Sequence, residues 1–250
     1  MTTTTTATTE YAERRAQDWA AFTAGSGPPD NHWEVYKALS FDFRQSVGFV
    51  QATGLELPEL LDPLQPLLET LRGMEEIDLP PYEFLHFTVL RLGWLKPDDI
   101  YWTQVESFYV NAAPRLHRLD PFPIRFGGIS AHEDALYIGI DDAHVLREAR
   151  RLIRLGVPKA AEALRYDPSW SPEGDRYMPV LEFAFFTGLG DRRRVIEAVT
   201  PYLDAAVGEQ QVTHIKMARI ASDPQVHYQP VDVVAEIGLL GENARKGYHA

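Results

Sequence analysis

The chain has 250 residues, of which 45% are hydrophobic and 24% are charged, and it carries 36 acidic against 24 basic side chains. The formal net charge of −12 disfavours a general nucleic-acid binder, because such proteins use a basic surface to displace the counterions of the phosphate backbone. The absence of cysteine excludes disulfides and thiolate chemistry, and no uncharged apolar run approaches the ~20 residues of a membrane helix.

The amino-terminal segment is predicted to be an extension of the main domain. Residues 1–9 are almost entirely threonine and lack the basic start and apolar middle of a secretory signal, so we expect a flexible tail and a cytoplasmic protein. A helix is predicted from Glu10 to Thr23, and the glycine- and proline-rich residues 24–29 break it. We therefore assign residues 1–40 to a tail and helical extension, and residues 41–250 to one main domain.

The main domain alternates between strand and helix patterns. Strands are predicted from runs rich in β-branched and aromatic residues, and helices from apolar residues spaced three and four apart. The predicted strands are Gln45–Ala52, Tyr82–Arg91, Phe122–Ser130, Ala135–Ile140, Tyr177–Phe186, Val212–Ile220 and Pro230–Leu239. The predicted helices cover Leu57–Leu71 and the segments that follow Pro97, Asp141 and Asp191.

The order of these elements repeats along the chain. Strand, helix, strand, helix and strand run from about residue 45 to 130, and the same order runs from about residue 135 to 220 before a last strand. In each half a tyrosine opens the second strand, at Tyr82 and at Tyr177. Such a repeat predicts two lobes related by approximate symmetry, with a cleft at their midline.

The strand Tyr82–Arg91 carries the pair of side chains with the clearest chemistry. Side chains alternate between the two faces of a strand, so His86 and Thr88 point the same way and the residues between them enter the core. An imidazole can move a proton, and a hydroxyl can donate a hydrogen bond to a phosphate oxygen. Strict alternation places Arg91 on the face opposite His86.

This arrangement resembles the 2H phosphoesterase superfamily, which includes the 2′-5′ RNA ligase-like proteins and the cyclic phosphodiesterases. The resemblance covers about residues 41–241 and is most specific at Leu85-His86-Phe87-Thr88-Val89, at residues 121–129 and at residues 135–138. It implies an α+β fold of two pseudo-symmetric lobes with antiparallel sheets around a central cleft. It also implies two H-x-T or H-x-S motifs, in which one histidine is a base, the other is an acid, and the hydroxyls hold phosphate.

The second motif departs from the family pattern. When the two tyrosine-opened strands are aligned, His86 falls opposite Val180 and Thr88 falls opposite Glu182. Val180 cannot transfer a proton, and Glu182 puts a carboxylate where a phosphate-binding hydroxyl is expected. We expect His86, Thr88 and Glu182 to be the catalytic residues, with the charge of Glu182 raising the pKa of His86 so that the histidine holds a proton.

Five further residues are predicted to bind a ligand. His214 and Lys216 alternate along one predicted strand and offer a substitute imidazole and a cation, with an exposed polar face as the alternative explanation. Tyr82 and Tyr177 offer rings that can stack on a base, with burial in the core as the alternative, and Val180 lines the same cleft.

Other charged clusters are interpreted as structural. The helix after Asp141 has a stripe of arginines that we assign to a solvated face, namely Arg147, Arg150, Arg151 and Arg154. The eight histidines show no metal-ligand spacing, and the chain has no phosphate-binding glycine loop or dinucleotide fingerprint. We therefore propose neither a metal nor a cofactor.

Three functions remain open at this point. The first is a divergent enzyme of the family that hydrolyses a small phosphodiester, such as a nucleoside 2′,3′-cyclic phosphate or an RNA terminus. The second is a module that binds a nucleotide-like ligand without turning it over. The third is an enzyme with new acid–base chemistry carried by His86 and Glu182. The expected partner in each case is a small molecule and not a membrane.

Overall fold

The computed structural model describes residues 4–35, 45–51, 58–94, 102–141, 144–156, 170–171, 174–175, 177–223 and 227–241. The strands are β1 (Gln45–Gln51), β2 (Ile77–Asp78), β3 (Phe87–Trp94), β4 (Phe122–Ala131), β5 (Ala135–Asp141), β6 (Trp170–Ser171), β7 (Gly174–Asp175), β8 (Val180–Phe186), β9 (Ala206–Val212), β10 (His214–Asp223), β11 (His227–Tyr228) and β12 (Asp232–Gly238). The helices are Thr4–Ala24, Gln65–Arg72, Trp102–Leu116, His144–Gly156 and Arg192–Val199, with 3-10 turns at Pro58–Leu64, Tyr82–Phe84 and Thr200–Tyr202. Residues 1–3, Leu57, Pro97 and the predicted border at residue 40 lie outside the described residues.

The fold is built on two five-stranded sheets, which confirms the predicted α+β class with two antiparallel sheets. In the first sheet the order is β3–β1–β10, and both β12 and the short β11 pair with the far side of β10. In the second sheet the order is β2–β8–β5–β4–β9. Every strand pairing within the described ranges is antiparallel.

Each of the two sheets contains strands from both halves of the repeat. β4 comes from the first half but pairs with β5 and β9 in the second sheet, whereas β10 comes from the second half and pairs with β1 in the first sheet. A tight turn explains the first exchange: the His132 amide donates to the Ala135 carbonyl at 2.8 Å, and so short a hairpin keeps β4 and β5 adjacent. The strand β9 was not predicted.

Four helices pack in two pairs around the sheets, and apolar residues join the sheets to each other. The helices Trp102–Leu116 and His144–Gly156 contact each other and reach β12 and β3, whereas the helices Gln65–Arg72 and Arg192–Val199 pack together elsewhere. A small apolar cluster combines Val50 and Ala218 of the first sheet with Ala135 and Phe185 of the second. None of the helices in the described part of the chain is long and apolar enough to cross a bilayer.

The amino-terminal helix is longer than predicted and is docked on the second sheet. It begins at Thr4, so the predicted flexible tail is wrong for residues 4–9, whose backbone is helical. The helix packs on β4 and β5. Tyr11 and Phe22 are 1% and 3% exposed, and the Phe22 ring stacks on Phe186 with a centroid distance of 5.2 Å. Two buried aromatic anchors therefore hold the helix in place.

We expect Phe22→Ala to lower the free energy of unfolding by about 3–5 kcal/mol, because it removes a buried ring and leaves a cavity. The matched control is Val110→Ala, since Val110 is 60% exposed on a helix and its truncation should change stability by less than about 0.5 kcal/mol. Urea denaturation measures both. Equal effects of the two variants would contradict the docking of the amino-terminal helix.

Candidate active site

His86 lies immediately before β3, with its ring oriented by the backbone. Its Nδ1 is 2.7 Å from the Phe84 carbonyl oxygen. A carbonyl only accepts hydrogen bonds, so Nδ1 carries the hydrogen and Nε2 of the neutral ring carries the lone pair. Burial lowers the pKa of His86, and this effect outweighs the Phe84 hydrogen bond and the charge of Glu182, which raise it. The expected rise of the pKa of His86 is therefore wrong, and the ring is a neutral base at neutral pH.

A bulge in β3 places Arg91 on the face of Thr88, whereas strict alternation assigns it to the opposite face. Thr88 pairs with Val50 and Arg91 with Gly48, while the register shifts between them, so Val89 is the extra residue. Such a bulge returns Arg91 to the face of Thr88. The charge of Arg91 also lowers the pKa of His86, which fits this placement. The prediction that Arg91 faces away from His86 is wrong because strict alternation cannot anticipate a bulge.

Two side chains donate hydrogen bonds to backbone carbonyls along the bulged edge of β3. The Tyr177 hydroxyl donates to the Thr88 carbonyl at 3.0 Å, and the Arg150 guanidinium donates to the Val89 carbonyl. The guanidinium carbon of Arg150 also lies 3.9 Å from the centre of the Tyr177 ring. Tyr177 is buried and covered, so it is not placed to stack on a base. Arg150 is 1% exposed, which corrects its assignment to a solvated stripe.

Tyr82 does not open β3 as predicted. It lies in a 3-10 turn, and the strand begins five residues later at Phe87. The ring is half-buried against the main core, and its hydroxyl oxygen accepts a hydrogen bond from Gln65 Nε2 at 3.3 Å. Its role in stacking on a base remains a prediction.

Glu182 and Val180 lie on β8, on one face of the second sheet. Glu182 pairs with Tyr137 of β5 and Val180 pairs with Gly139, while Leu181 is buried on the other face. Burial raises the pKa of Glu182, but the His132 imidazole and the charges of two further histidines, those of His32 and His86, outweigh it and lower the pKa to about 2. Glu182 is therefore a carboxylate that lies close enough to His86 to affect the pKa of that ring.

His132 was missed in the sequence. It occupies the turn between β4 and β5, where its Nδ1 lies 3.6 Å from Glu182 Oε1 and its Nε2 lies 4.0 Å from Asp18 Oδ2. Burial opposes its protonation, but the carboxylates of Glu182, Asp18 and Asp134 outweigh burial and raise its pKa. The polar turn His132-Glu133-Asp134 was the available signal, but a histidine in a turn has no strand periodicity that would assign it to a face.

Lys216 and His214 differ in their relation to Thr88. The cross-strand row Thr88–Val50–Lys216–Glu236 runs across the first sheet, so Lys216 shares the face of Thr88 at a distance of two strands. Lys216 is 7% exposed, and its Nζ lies 3.8 Å from Glu236 Oε1. His214 is exposed at the start of β10, where its Nδ1 lies 2.8 Å from Thr213 Oγ1.

The amino-terminal helix lies on the same face of the second sheet as Glu182 and Val180. The Ser130 hydroxyl donates to the Arg15 carbonyl at 2.8 Å, and the Arg15 side chain pairs with Asp141. A Cβ added at Gly139 would lie 2.4 Å from Cδ of Arg15, so the arginine lies directly over that glycine.

A cavity of about 530 Å³ separates the end of the amino-terminal helix from the β4–β5 turn. Its charged lining comprises Asp18, Asp30, His132, Glu133, Asp134 and Arg192. Among the residues that the structure describes, no group of three or more His, Asp or Glu side chains is arranged to hold a metal ion.

Solved structures with the same architecture extend over most of the chain. The chain is similar to TT0787 of Thermus thermophilus, with a TM-score of 0.58 and 18% identity over 79% of this chain and 99% of that one. It is also similar to a phosphoesterase, with a TM-score of 0.54 and 13% identity over 78% of this chain and 98% of that one. The similarity to E. coli LigT complexed with ATP has a TM-score of 0.52 and 11% identity, over 78% of this chain and 98% of that one. No protein-family model and no curated protein matches the sequence. The chain thus has the two-lobed fold of the 2H phosphoesterases, which confirms the resemblance at the level of fold.

The bond between Tyr177 and Thr88 can be tested by removing one hydroxyl. We expect Tyr177→Phe to lower the free energy of unfolding by about 1–2 kcal/mol, because the Thr88 carbonyl loses its donor while the buried ring stays. Tyr109→Phe is the control, since the Tyr109 hydroxyl makes no hydrogen bond within the described ranges. Urea denaturation gives both values, and an unchanged stability of Tyr177→Phe would contradict the bond.

The His132 ion pairs predict a pH dependence of stability. Because the folded state raises the pKa of His132, its stabilisation is fully present below the ordinary histidine value and is lost as the pH rises through the raised pKa. From about pH 6 to about pH 9, the free energy of unfolding of the wild type should therefore fall towards that of His132→Gln. The control is His214→Gln, because His214 contacts an uncharged hydroxyl. A constant difference between wild type and His132→Gln would refute the ion pairs.

Proposed function

We propose that the protein hydrolyses a small phosphodiester, and that a nucleoside 2′,3′-cyclic phosphate or an RNA end of that kind is the class of substrate. The observation that carries this proposal is the orientation of His86, whose Nδ1 is bound to the Phe84 carbonyl while Nε2 keeps its lone pair. The LigT structures with 3′-AMP and with phosphate support a nucleotide-like ligand for the cleft.

In this mechanism His86 is the base. Its Nε2 takes a proton from the attacking water, the water oxygen bonds to phosphorus, and one ester oxygen leaves with the electron pair of its bond. The Thr88 hydroxyl donates to a phosphoryl oxygen, and the guanidinium of Arg91 on the same face balances the negative charge. Lys216 adds a second cation to this face of the first sheet.

Protonation of the leaving oxygen is the step that this site supports least well. Val180 has no proton to give, and the pKa of Glu182 is about 2, so its carboxyl group is ionised at neutral pH. This state also disfavours the hypothesis of an acid–base pair formed by His86 and Glu182, because Glu182 cannot act as the acid. A positioned acid contributes about 10²–10⁴ in rate, so we expect slow turnover.

A second candidate is a module that binds a nucleotide-like ligand without turnover. The apolar Val180 at the position of the second histidine favours it. The two functions differ in one observable, the release of a phosphomonoester. A cytoplasmic location, the division of the chain near residue 40 and the ligand-binding role of His214 remain predictions of the sequence.

We expect His86→Gln to lower kcat/KM for adenosine 2′,3′-cyclic phosphate by about 10²–10⁴, because the amide cannot accept the proton of water. Activity of the wild type should fall as the pH drops through the lowered pKa of His86, since only the neutral ring is a base. The control is His144→Gln, an exposed residue at the start of a helix. Chromatography of the product nucleotide measures the rates.

Two outcomes would decide against hydrolysis. If turnover survives unchanged in His86→Gln, another group is the base and the proposed mechanism is wrong. If the wild type binds the cyclic phosphate but releases no phosphomonoester, the binding module is the correct function.

A further inference from the structure

Two successive peptide units of β3 are bound by donors from the second half of the chain. The Tyr177 hydroxyl donates to the Thr88 carbonyl at 3.0 Å. The Arg150 guanidinium donates to the carbonyl of the next residue, Val89. A peptide unit is planar, so two units that are fixed in space fix the two backbone dihedral angles of the residue between them. That residue is Val89, the extra residue of the bulge, so the two donors act on the bulge itself.

Both donors are themselves held in place by their surroundings. Tyr177 and Arg150 are 5% and 1% exposed, and the guanidinium carbon of the arginine lies 3.9 Å from the centre of the tyrosine ring. Arg147, which precedes Arg150 on the same helix, donates from Nε to the Tyr177 carbonyl at 3.2 Å. The tyrosine is thus bound at its backbone and at its hydroxyl, so its hydroxyl reaches β3 from a fixed position.

The neighbouring strand β1 leaves room for the bulge on the other side of β3. Arg91 pairs with Gly48 of β1. A Cβ added at Gly48 would lie 2.8 Å from the Leu90 carbonyl oxygen and 3.3 Å from Cα of Arg91, so a side chain there would push the bulged backbone away. A glycine inside a strand is typical of such a close approach between backbones. The bulge is therefore held at its outer edge by two donors and accommodated at its inner edge by a glycine.

The conformation of Val89 decides which face of β3 carries Arg91. In a regular strand Thr88 and Arg91 are three positions apart and lie on opposite faces, whereas the bulge brings them to one face. A bulge leaves the ladder locally disrupted, so the regular register is the alternative that the two donors have to outweigh.

We propose that Tyr177 and Arg150 are positioning residues, which hold the β3 bulge and thereby keep the Arg91 guanidinium beside the Thr88 hydroxyl, where it binds a phosphate group. The phosphate in this inference rests on the proposed function, whereas the placement of Arg91 can be tested without a ligand. Neither positioning residue has to reach the phosphate, because both act through the backbone of β3. Arginine is suited to the site because its charge-assisted hydrogen bond to phosphate is about twice as strong as a neutral one.

The pKa of His86 is sensitive to the position of Arg91 when no ligand is bound. Burial lowers this pKa most, the Phe84 hydrogen bond and the charge of Glu182 on β8 raise it, and the charge of Arg91 lowers it further. Displacement of Arg91 should therefore raise the pKa of His86. An NMR titration of the His86 ring protons, assigned by their loss in His86→Gln, measures the value in the full chain.

Four variants test the role of the two donors. Arg91→Gln gives the rise in the pKa of His86 that follows from complete loss of the charge. We expect Tyr177→Phe, which changes no charge, to give part of this rise. The double variant Tyr177→Phe with Arg150→Lys, which keeps the buried charge but loses the planar fork, should give most of it. Tyr109→Phe combined with Arg151→Lys is the matched control and should leave the pKa unchanged, because Arg151 is exposed on the helix that carries Arg150.

A double-mutant cycle separates displacement of Arg91 from a general loosening of the site. In an Arg91→Gln background, Tyr177→Phe should not raise the pKa of His86 further, because no charge remains to be displaced. An equal rise in both backgrounds would mean that the ring has only become more hydrated, and this would overturn the inference. An unchanged pKa in Arg91→Gln, or in the double variant of Tyr177 and Arg150, would overturn it as well.

Binding of adenosine 3′-monophosphate tests the consequence for phosphate. Isothermal titration calorimetry at about pH 7.5 and fixed ionic strength gives the dissociation constant for each variant. We expect Arg91→Gln to raise it about tenfold or more, and the double variant of Tyr177 and Arg150 to raise it about threefold or more. A role in stability alone would lower the number of binding sites as protein unfolds and would leave the dissociation constant unchanged.

The two measurements distinguish failure of the inference from failure of the proposed function. If the pKa of His86 rises as expected but the wild type neither binds adenosine 3′-monophosphate nor turns over the cyclic phosphate, the proposed function is wrong and the positioning of Arg91 stands. If the wild type turns over the cyclic phosphate while the double variant keeps both the pKa and the dissociation constant, only the positioning role is overturned.

Discussion

The geometry of the site depends on the hydrogen bonds that satisfy the outer edge of β3. This strand lies at the edge of the first sheet and is bulged at Val89, so carbonyls there lack a strand partner. The Tyr177 hydroxyl and the Arg150 guanidinium supply the missing donors from a later part of the chain. Because a buried carbonyl or guanidinium without a partner is costly, the two carbonyls, the Tyr177 hydroxyl and the Arg150 guanidinium hold one another in place. The backbone next to His86 is therefore fixed by residues of the second half.

The pKa values of two histidines near Glu182 shift in opposite directions because burial and charge compete differently at each. At His86 the loss of solvation dominates, and the pKa is lowered although Glu182 is near. At His132 the Glu182 carboxylate lies 3.6 Å away, and together with Asp18 it prevails over burial. The cleft thus combines His86, whose pKa is lowered, with His132, whose pKa is raised. The balance between burial and the surrounding charges decides the sign of each pKa shift.

The sequence predicts those features that depend on local pattern. Alternation predicts that His86 and Thr88 lie together, and the repeat predicts that Glu182 shares their cleft, because burial of every second residue fixes which face of a strand a side chain occupies. The effect of Glu182 on the pKa of His86 fits the second prediction. The sequence cannot predict the bulge that returns Arg91 to this face, because one extra residue leaves no trace in composition. Arg150 appears on a solvated stripe because arginine is polar, yet the partner that buries it is a carbonyl some sixty positions away in the chain. The position of His132 near Glu182 can be predicted only when β4 is known to pair with β5 in the second sheet.

The side chain at position 180 lies where the amino-terminal helix docks on the second sheet. Val180 stands directly across from Gly139, and the Arg15 side chain lies over that glycine on the way to Asp141. A histidine at position 180 would project from the face that the helix covers and compete with Arg15 for space. A small apolar side chain leaves that space open, and a glycine opposite it allows the helix to approach closely. His86 and Thr88 lie at the start of β3, whereas this face of the second sheet binds the chain's own amino-terminal helix.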